Sequence, residues 1–255
     1  MDLKNDYEYR GLIASTWDLF LGNEARWEDT LFFRELISRH GQPVLEIGCG
    51  TGRLLLDYLA AGIIIDGVDN SPEMLAICRD KAQQHGLQPA LFQQAMEQLD
   101  LPRRYRTVII PASSFQLVTD PAMARQAMQR FLAHLEPGGI LAMRLMIPWQ
   151  EGKPRQTGWR LTGEVVRPED RAVLRRWSRA SYEVETQLEH TEDRYEVILQ
   201  GEIIASEHHW RSPAGRWYTP AQALSLFEEA GFTQVCLSGG WSDKEPIFTV
   251  SGKKS

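Results

Sequence analysis

The residues with the clearest chemical potential are Glu46-Ile47-Gly48-Cys49-Gly50-Thr51-Gly52, which continue the apolar pair Val44-Leu45, and Asp69, which closes the next apolar run. Glycines at alternate positions let the backbone turn sharply and approach a ligand where a Cβ would collide. A carboxylate at the end of the following strand can accept both hydroxyls of a ribose. Together these features make a nucleoside-binding arrangement, and taken alone they would serve a nicotinamide dinucleotide almost as well.

Two residues bear on that alternative. The third glycine of a G-x-G-x-x-G fingerprint would fall at Arg53, so the pyrophosphate pattern is incomplete. Glu46 stands just before the turn, where an anion opposes a pyrophosphate and suits a cation. The charge pattern favours S-adenosylmethionine, which carries an ammonium and a sulfonium and no phosphate. Cys49 occupies a helix start, where thiol pKa values fall. With no partnered histidine nearby in sequence, it reads as a small residue filling a tight turn. His190, His208, His209 and Cys236 have no metal-ligand spacing, and no metal site is expected.

On these residues the chain resembles the class I S-adenosylmethionine-dependent methyltransferases. Their first motif looks like Val44–Gly52, their ribose motif like Gly67-Val68-Asp69-Asn70-Ser71-Pro72-Glu73-Met74-Leu75, and their approach to the fifth strand like Leu135-Glu136-Pro137-Gly138-Gly139-Ile140-Leu141. The resemblance implies that Gly48, Gly50 and Gly52 line the methionine and ribose portions of the cofactor, that Asp69 holds the ribose, and that Asn70 and Met74 lie against the adenine. Glu46, Thr51 and Pro111 complete the expected contacts. The chain departs from the family after the third strand: Gln93-Gln94-Ala95-Met96-Glu97 has Ala95 where the family usually has an acid for the adenine amino group. Backbone groups of Ala95 and Met96, or the side chain of Glu97, would substitute.

Methyl transfer is an in-line displacement for which alignment and exclusion of water do much of the work. A neutral amine needs no strong base, whereas a hydroxyl usually needs a base or a metal. The segment Pro111-Ala112-Ser113-Ser114-Phe115-Gln116 lies where methyl group and acceptor meet in this family. It lacks the Asn/Asp-Pro-Pro-aromatic signature of enzymes that methylate nucleobases or protein amides. Its layout resembles the glycine and amino-sugar N-methyltransferases, which implies a small-molecule acceptor, an amine ahead of a hydroxyl. In such enzymes inserted strands cover the acceptor and can mediate oligomers.

The elements that must position these residues follow from pattern. From about residue 41 short apolar runs alternate with amphipathic helical stretches: Pro43–Ile47, Ile63–Val68, Ala90–Gln93, Thr107–Ile110 and Ile140–Ile147, then Thr233–Leu237 and Pro246–Val250 after the break. That alternation predicts a mostly parallel sheet covered by helices. Ser71-Pro72, Asp120-Pro121 and Thr219-Pro220 mark helix starts, and Gly41, Gly62, Gly86 and Gly231 mark helix ends. The expected fold is α/β, a Rossmann-like seven-stranded sheet with helices on both faces and, by resemblance, an antiparallel last strand.

Residues 151–212 break the rhythm. Gly152, Pro154, Gly158, Gly163 and Pro168 read as loop, and Ala172–Tyr182, Thr186–Leu199 and Glu202–Ser212 as an antiparallel meander. The expected organisation is an N-terminal helical and aromatic cap (residues 1–40), a core (41–150 and 213–255) and a β-rich insertion over the acceptor site (151–212). The cap has a helix at Glu24–Arg39 and aromatic residues Tyr7, Tyr9 and Trp17 ahead of it, with Trp27 inside the helix. His208 and His209 should point to opposite faces of a strand, with at most one serving as general base. Arg175 and Arg176 split likewise; an inward arginine, or Arg211 or Arg216, would bind an acceptor's carboxylate or phosphate. Tyr182, Tyr195, Trp210, Trp217 and Tyr218 are candidates for an aromatic pocket.

Composition bounds the rest. With 28 basic and 34 acidic side chains, the net charge of −6 disfavours a nucleic-acid partner. An RNA methyltransferase and a non-catalytic protein that kept the nucleoside site stay as alternatives. The odd count of 3 cysteines and a polar N-terminus favour a reducing, cytoplasmic setting, and no apolar run is long enough to span a membrane. Calorimetry checks the cofactor reading: S-adenosylmethionine or its demethylated product binds the purified protein, and NADH does not.

Overall fold

Side-chain caps and prolines start the helices where the sequence places them. Ser71 Oγ accepts from the Met74 N–H, Asp120 accepts from the Ala122 and Met123 N–H groups, and Thr219 forms a reciprocal capping box with Gln222. Gly41, Gly62, Gly86 and Gly231 all adopt positive φ at the ends of helical stretches. The structure, a computed structural model, describes residues 9–21, 28–238 and 246–255. Tyr7, Glu24 and Trp27 lie outside the described residues.

The first half runs α1 Gly11–Leu21, α2 Glu28–His40, β1 Val44–Ile47, α3 Arg53–Ala60, β2 Ile65–Asp69, α4 Pro72–Gln84, β3 Ala90–Gln93, β4 Tyr105–Ile110 and α5 Pro121–His134. The second half runs β5 Leu135–Met146, β6 Arg160–Val166, β7 Val173–Glu183, β8 Leu188–Leu199, β9 Glu202–Arg216, α6 Pro220–Glu229, β10 Thr233–Ser238 and β11 Ile247–Lys253. Seven strands form one sheet in the order β3-β2-β1-β4-β5-β11-β10. All pairs are parallel except those of β11, which is antiparallel to both β5 and β10. This is the expected Rossmann-like sheet with one reversed strand. One face is covered by a core containing Phe115, Phe131, Phe227 and Phe248, the other by one containing Phe33, Tyr58 and Leu75. Strand order reverses between β1 and β4, and the glycine turn leaves the carboxyl end of β1 at that switch point, where open α/β sheets bind ligands.

The insertion is a separate antiparallel sheet, β6-β7-β8-β9. It has one more strand than the sequence predicts. Residues 160–166, read there as loop, form the edge strand β6. Gly163, taken as a loop signal, is a packing requirement: a Cβ there would stand 2.7 Å from the Phe20 ring on α1. The last strand also extends to Arg216, past the expected boundary at 212.

α1 is a second correction, since only an aromatic segment was expected there. Its first turn takes capping partners from distant elements. The Gly11 N–H donates to Glu73 on α4 (2.6 Å), and the Leu12 N–H donates to Glu207 on β9 (2.8 Å). Partners 62 and 195 residues away in sequence leave no local signature. Leu12, Leu19 and Phe20 pack on Leu174 and Val197 of the second sheet, so α1 joins that sheet to α4.

One buried side chain ties the two sheets beside the site. Gln116 donates to the carbonyls of Met146 (2.9 Å) and Arg216 (3.2 Å) and accepts from the Met146 N–H (2.7 Å). Arg216 donates in turn to the carbonyls of Thr119 and Thr186. Gln116→Leu fills similar space but strands these backbone groups. A loss of about 2 kcal/mol is expected, read as a lower urea midpoint at unchanged slope.

Candidate functional site

Gly48, Gly50 and Gly52 all take positive φ, at 74°, 54° and 84°. A Cβ at Gly48 would stand 2.7 Å from the Ser114 side chain, and one at Gly52 would stand 2.6 Å from Cys78 Sγ. Asp69 pins the turn: Oδ2 accepts the Gly50 N–H (2.8 Å) and Oδ1 accepts the Ser71 N–H (2.9 Å). Each oxygen keeps a further lone pair. Burial raises the Asp69 pKa, and these two N–H bonds oppose the rise.

Glu46 lies at the base of the same turn, 2 % exposed, with Oε2 lacking a hydrogen-bond partner. Burial pushes its pKa up to about 8; the Arg53 guanidinium pulls it down, while Asp29 and Asp69 push it further up. Arg53 is committed elsewhere, in a two-pronged pair with the buried Asp29 of α2 at 3.0 and 2.7 Å. The position that breaks the pyrophosphate fingerprint thus anchors α2 on the glycine turn. Burial also drives the Cys49 thiol well above its ordinary range, which keeps it protonated and removes it as a nucleophile.

These groups open onto a cleft of about 1040 Å³, at the upper end of ordinary ligand pockets and roomy enough for a nucleoside and a second molecule. Its walls include Glu46, Gly48, Gly50, Thr51, Asp69, Asn70, Met74, Ala95, Met96 and Pro111, so the structure brings these sequence-predicted residues together. Gly52 is not on the wall; it turns the chain into α3 against Cys78. Thr51 lines the cleft, but its hydroxyl donates to Asp18 of α1 (2.6 Å), which also pairs with Lys81. Glu97 lines the cleft beside Ala95 and Met96.

Sequence reasoning missed how α1 and the loop after β4 shape this space. Tyr9 and Trp17, in edge contact at 5.1 Å, form part of the wall. Tyr9 is held by its carbonyl, which accepts from Ser71 Oγ. In the loop, Ala112 and Ser113 are left-handed at φ 52° and 61°, with no glycine to signal it. Such strain, costing about 1 kcal/mol or more per residue, is held by Ser114, whose N–H and hydroxyl both donate to the Pro111 carbonyl.

The other candidates lie elsewhere. His208 is exposed and bonds Glu192, while His209 bonds Glu207 and meets the Tyr195 ring edge-on. Neither lines the cleft. Arg175 pairs with Glu164; Arg176 and Arg211 share the buried Asp193. Tyr182, Trp217 and Tyr218 belong to the main core, Tyr195 meets Phe20, and Trp210 is exposed, so these rings do not form the pocket.

The family model described as a methyltransferase domain matches residues 44–139. Over 97 % of its length the chain is 26 % identical to the dTDP-3-amino-3,6-dideoxy-alpha-D-glucopyranose N,N-dimethyltransferase of Streptomyces fradiae, of which 94 % is covered. Among solved structures, it is similar to the CcbJ methyltransferase from Streptomyces caelestis (TM-score 0.74, 20 % identity, 97 % of this chain and 98 % of that one). It is also similar to S-adenosylmethionine-bound CalS10, an amino pentose methyltransferase from Micromonospora echinaspora (TM-score 0.68, 21 % identity, 96 % and 98 % covered).

The fit of the site to a cationic nucleoside rests on the orphaned Glu46 oxygen and the glycine cradle. In the free protein, ionising Glu46 costs stability: its contribution is greatest below its ordinary value of 4.5 and is lost as pH rises toward 8. A bound ammonium reverses the preference, so binding below pH 8 expels a proton. S-adenosylmethionine affinity should therefore rise between about pH 6 and 8. Calorimetry in buffers of different ionisation heat should read a proton released, and Glu46→Gln should flatten both effects.

Proposed function

We propose, on the premise that this chain is a class I S-adenosylmethionine-dependent methyltransferase, that its acceptor is the neutral amine of a small molecule. The observation that carries this reading is the chemistry of the cleft wall. Among the described residues it holds no histidine and no lysine, and its cysteine is kept protonated. Of its carboxylates, Glu46 and Asp69 lie at the turn, Asp29 is paired with Arg53, Asp120 caps α5, and Glu97 stands beside Ala95 and Met96, on the side this reading gives to the adenine. A hydroxyl acceptor would ask such a wall for a base, and a neutral amine does not. Likeness to an enzyme named for dimethylating a 3-amino sugar supports the same acceptor class.

The bound cofactor supplies a methyl group on positive sulfur, open to displacement by a lone pair. In this reading Glu46 receives the ammonium end and Asp69 the ribose hydroxyls, while Asn70, Met74, Ala95 and Met96 border the base. Tyr9, just ahead of α1, and Trp17 on α1 cover the cleft and exclude water. The strained loop 111–114 sets the wall along which the amine approaches. Alignment in a dry site, rather than proton abstraction by a side chain, provides the acceleration. In this reading the insertion, held to the loop through Gln116 and Arg216, flanks the acceptor side, although none of its residues lines the cleft.

A screen with methyl-labelled S-adenosylmethionine tests the reading. Label should pass to small amines and not to matched alcohols, with kcat/KM rising with pH until the amine is deprotonated. Transfer to alcohols alone would refute it.

A further inference from the structure

Arg144 sits near the carboxyl end of β5, one residue past the register pair Ile110–Met143, and lines the cleft together with Met146 of the same strand and that residue's β11 partner Ile247. Its register partner on β11 is Thr249, which carries no charge. Unlike Arg53, Arg176, Arg211 and Arg216, each held by a carboxylate or carbonyl, Arg144 makes no hydrogen bond or ion pair among the described residues. It is half-buried, so its five donors are only partly served by water.

The charges around it make the point sharper. Asp29 and Arg53 neutralise each other, and among the described residues the remaining carboxylates and guanidinium of the wall are Glu46, Asp69, Glu97, Asp120 and Arg144. Glu46 and Asp69 lie at the turn, and Asp120 is spent on the first N–H groups of α5. A guanidinium in the same cleft as a cationic cofactor is a liability unless a second ligand brings an anion. Its planar fork suits a carboxylate or phosphate held by two parallel bonds.

We propose that Arg144 binds an anionic group, a carboxylate or a phosphate, on the acceptor and thereby selects it. With the proposed amine this describes an acceptor carrying both an amine and an anion, and to that extent the inference rests on the amine reading. The sequence pointed to Arg175, Arg176, Arg211 or Arg216 for this task; Arg144 takes it because β5 delivers it to the cleft, while the others are bound within the second sheet or at its edge.

Anion binding is separable from catalysis. Acetate and inorganic phosphate are titrated calorimetrically into the complex with S-adenosylhomocysteine, for wild type, Arg144→Met and Arg144→Lys. One anion should bind wild type ~10- to 100-fold more tightly than Arg144→Met, with Arg144→Lys between them and S-adenosylhomocysteine affinity unchanged. The better anion distinguishes carboxylate from phosphate. In parallel, amines bearing that anion are compared with their neutral amides or dephosphorylated forms. Wild type should prefer the anionic member, and Arg144→Met should lose the preference chiefly through KM. Absence of any Arg144-dependent anion binding, or equal use of neutral and anionic amines by wild type, overturns the proposal. If the anion binds through Arg144 yet no amine accepts methyl, the amine reading fails and the anion site stands.

Discussion

The two hydrogen bonds that Asp69 accepts from the backbone of Gly50 and Ser71 are the constraint on which the site depends. They fix the glycine turn to the end of β2 and the start of α4 at once. Ser71 caps α4 and holds the Tyr9 carbonyl, so the same corner sets the position of α1. Through Thr51 and Asp18 the turn also grips α1 directly. Loosening that corner would disturb the cofactor cradle and its cover together.

Around this corner the protein accepts an electrostatic cost. A buried carboxylate with one oxygen lacking a partner is unfavourable in an empty site, and the raised pKa of Glu46 expresses it. Arg53 stands close enough to neutralise Glu46 but is turned toward Asp29. The negative potential is thereby left for a cation to satisfy. On the wall of the same cleft Arg144 poses the mirror problem, a cation without an anion among the described residues. The two unmatched charges offer a cationic cofactor and an anionic acceptor group separate partners.

Most of the central sheet was legible because strand runs, caps and helix-ending glycines are local signals that agree with one another. The expected cofactor contacts Glu46, Gly48, Gly50, Thr51, Asp69, Asn70 and Met74 were legible for the same reason and meet at the cleft wall, while Gly52 does not. What was not legible depends on long-range contacts. α1 is capped by Glu73 and Glu207, far away in sequence, so no N-terminal signature precedes it. β6 hides behind Gly163, whose missing side chain makes room for Phe20. The left-handed Ala112 and Ser113 use residues that ordinarily avoid that conformation. Aromatic side chains in and after the insertion looked like pocket material because strands favour them for packing alone; among the described residues the rings that line the cleft are Tyr9 and Trp17. Arg144 went unnoticed inside an apolar strand run, where only the fold reveals which way it faces.

The central claim is that an unsatisfied Glu46 and an anchored Asp69 orient one cationic nucleoside cofactor. A crystal structure of the complex with S-adenosylhomocysteine tests it most directly. The account predicts the amino group within hydrogen-bond reach of Glu46, directly or through one water, and the ribose hydroxyls on Asp69. A ligand lying the other way round, or one leaving Glu46 without a cationic partner, would contradict it.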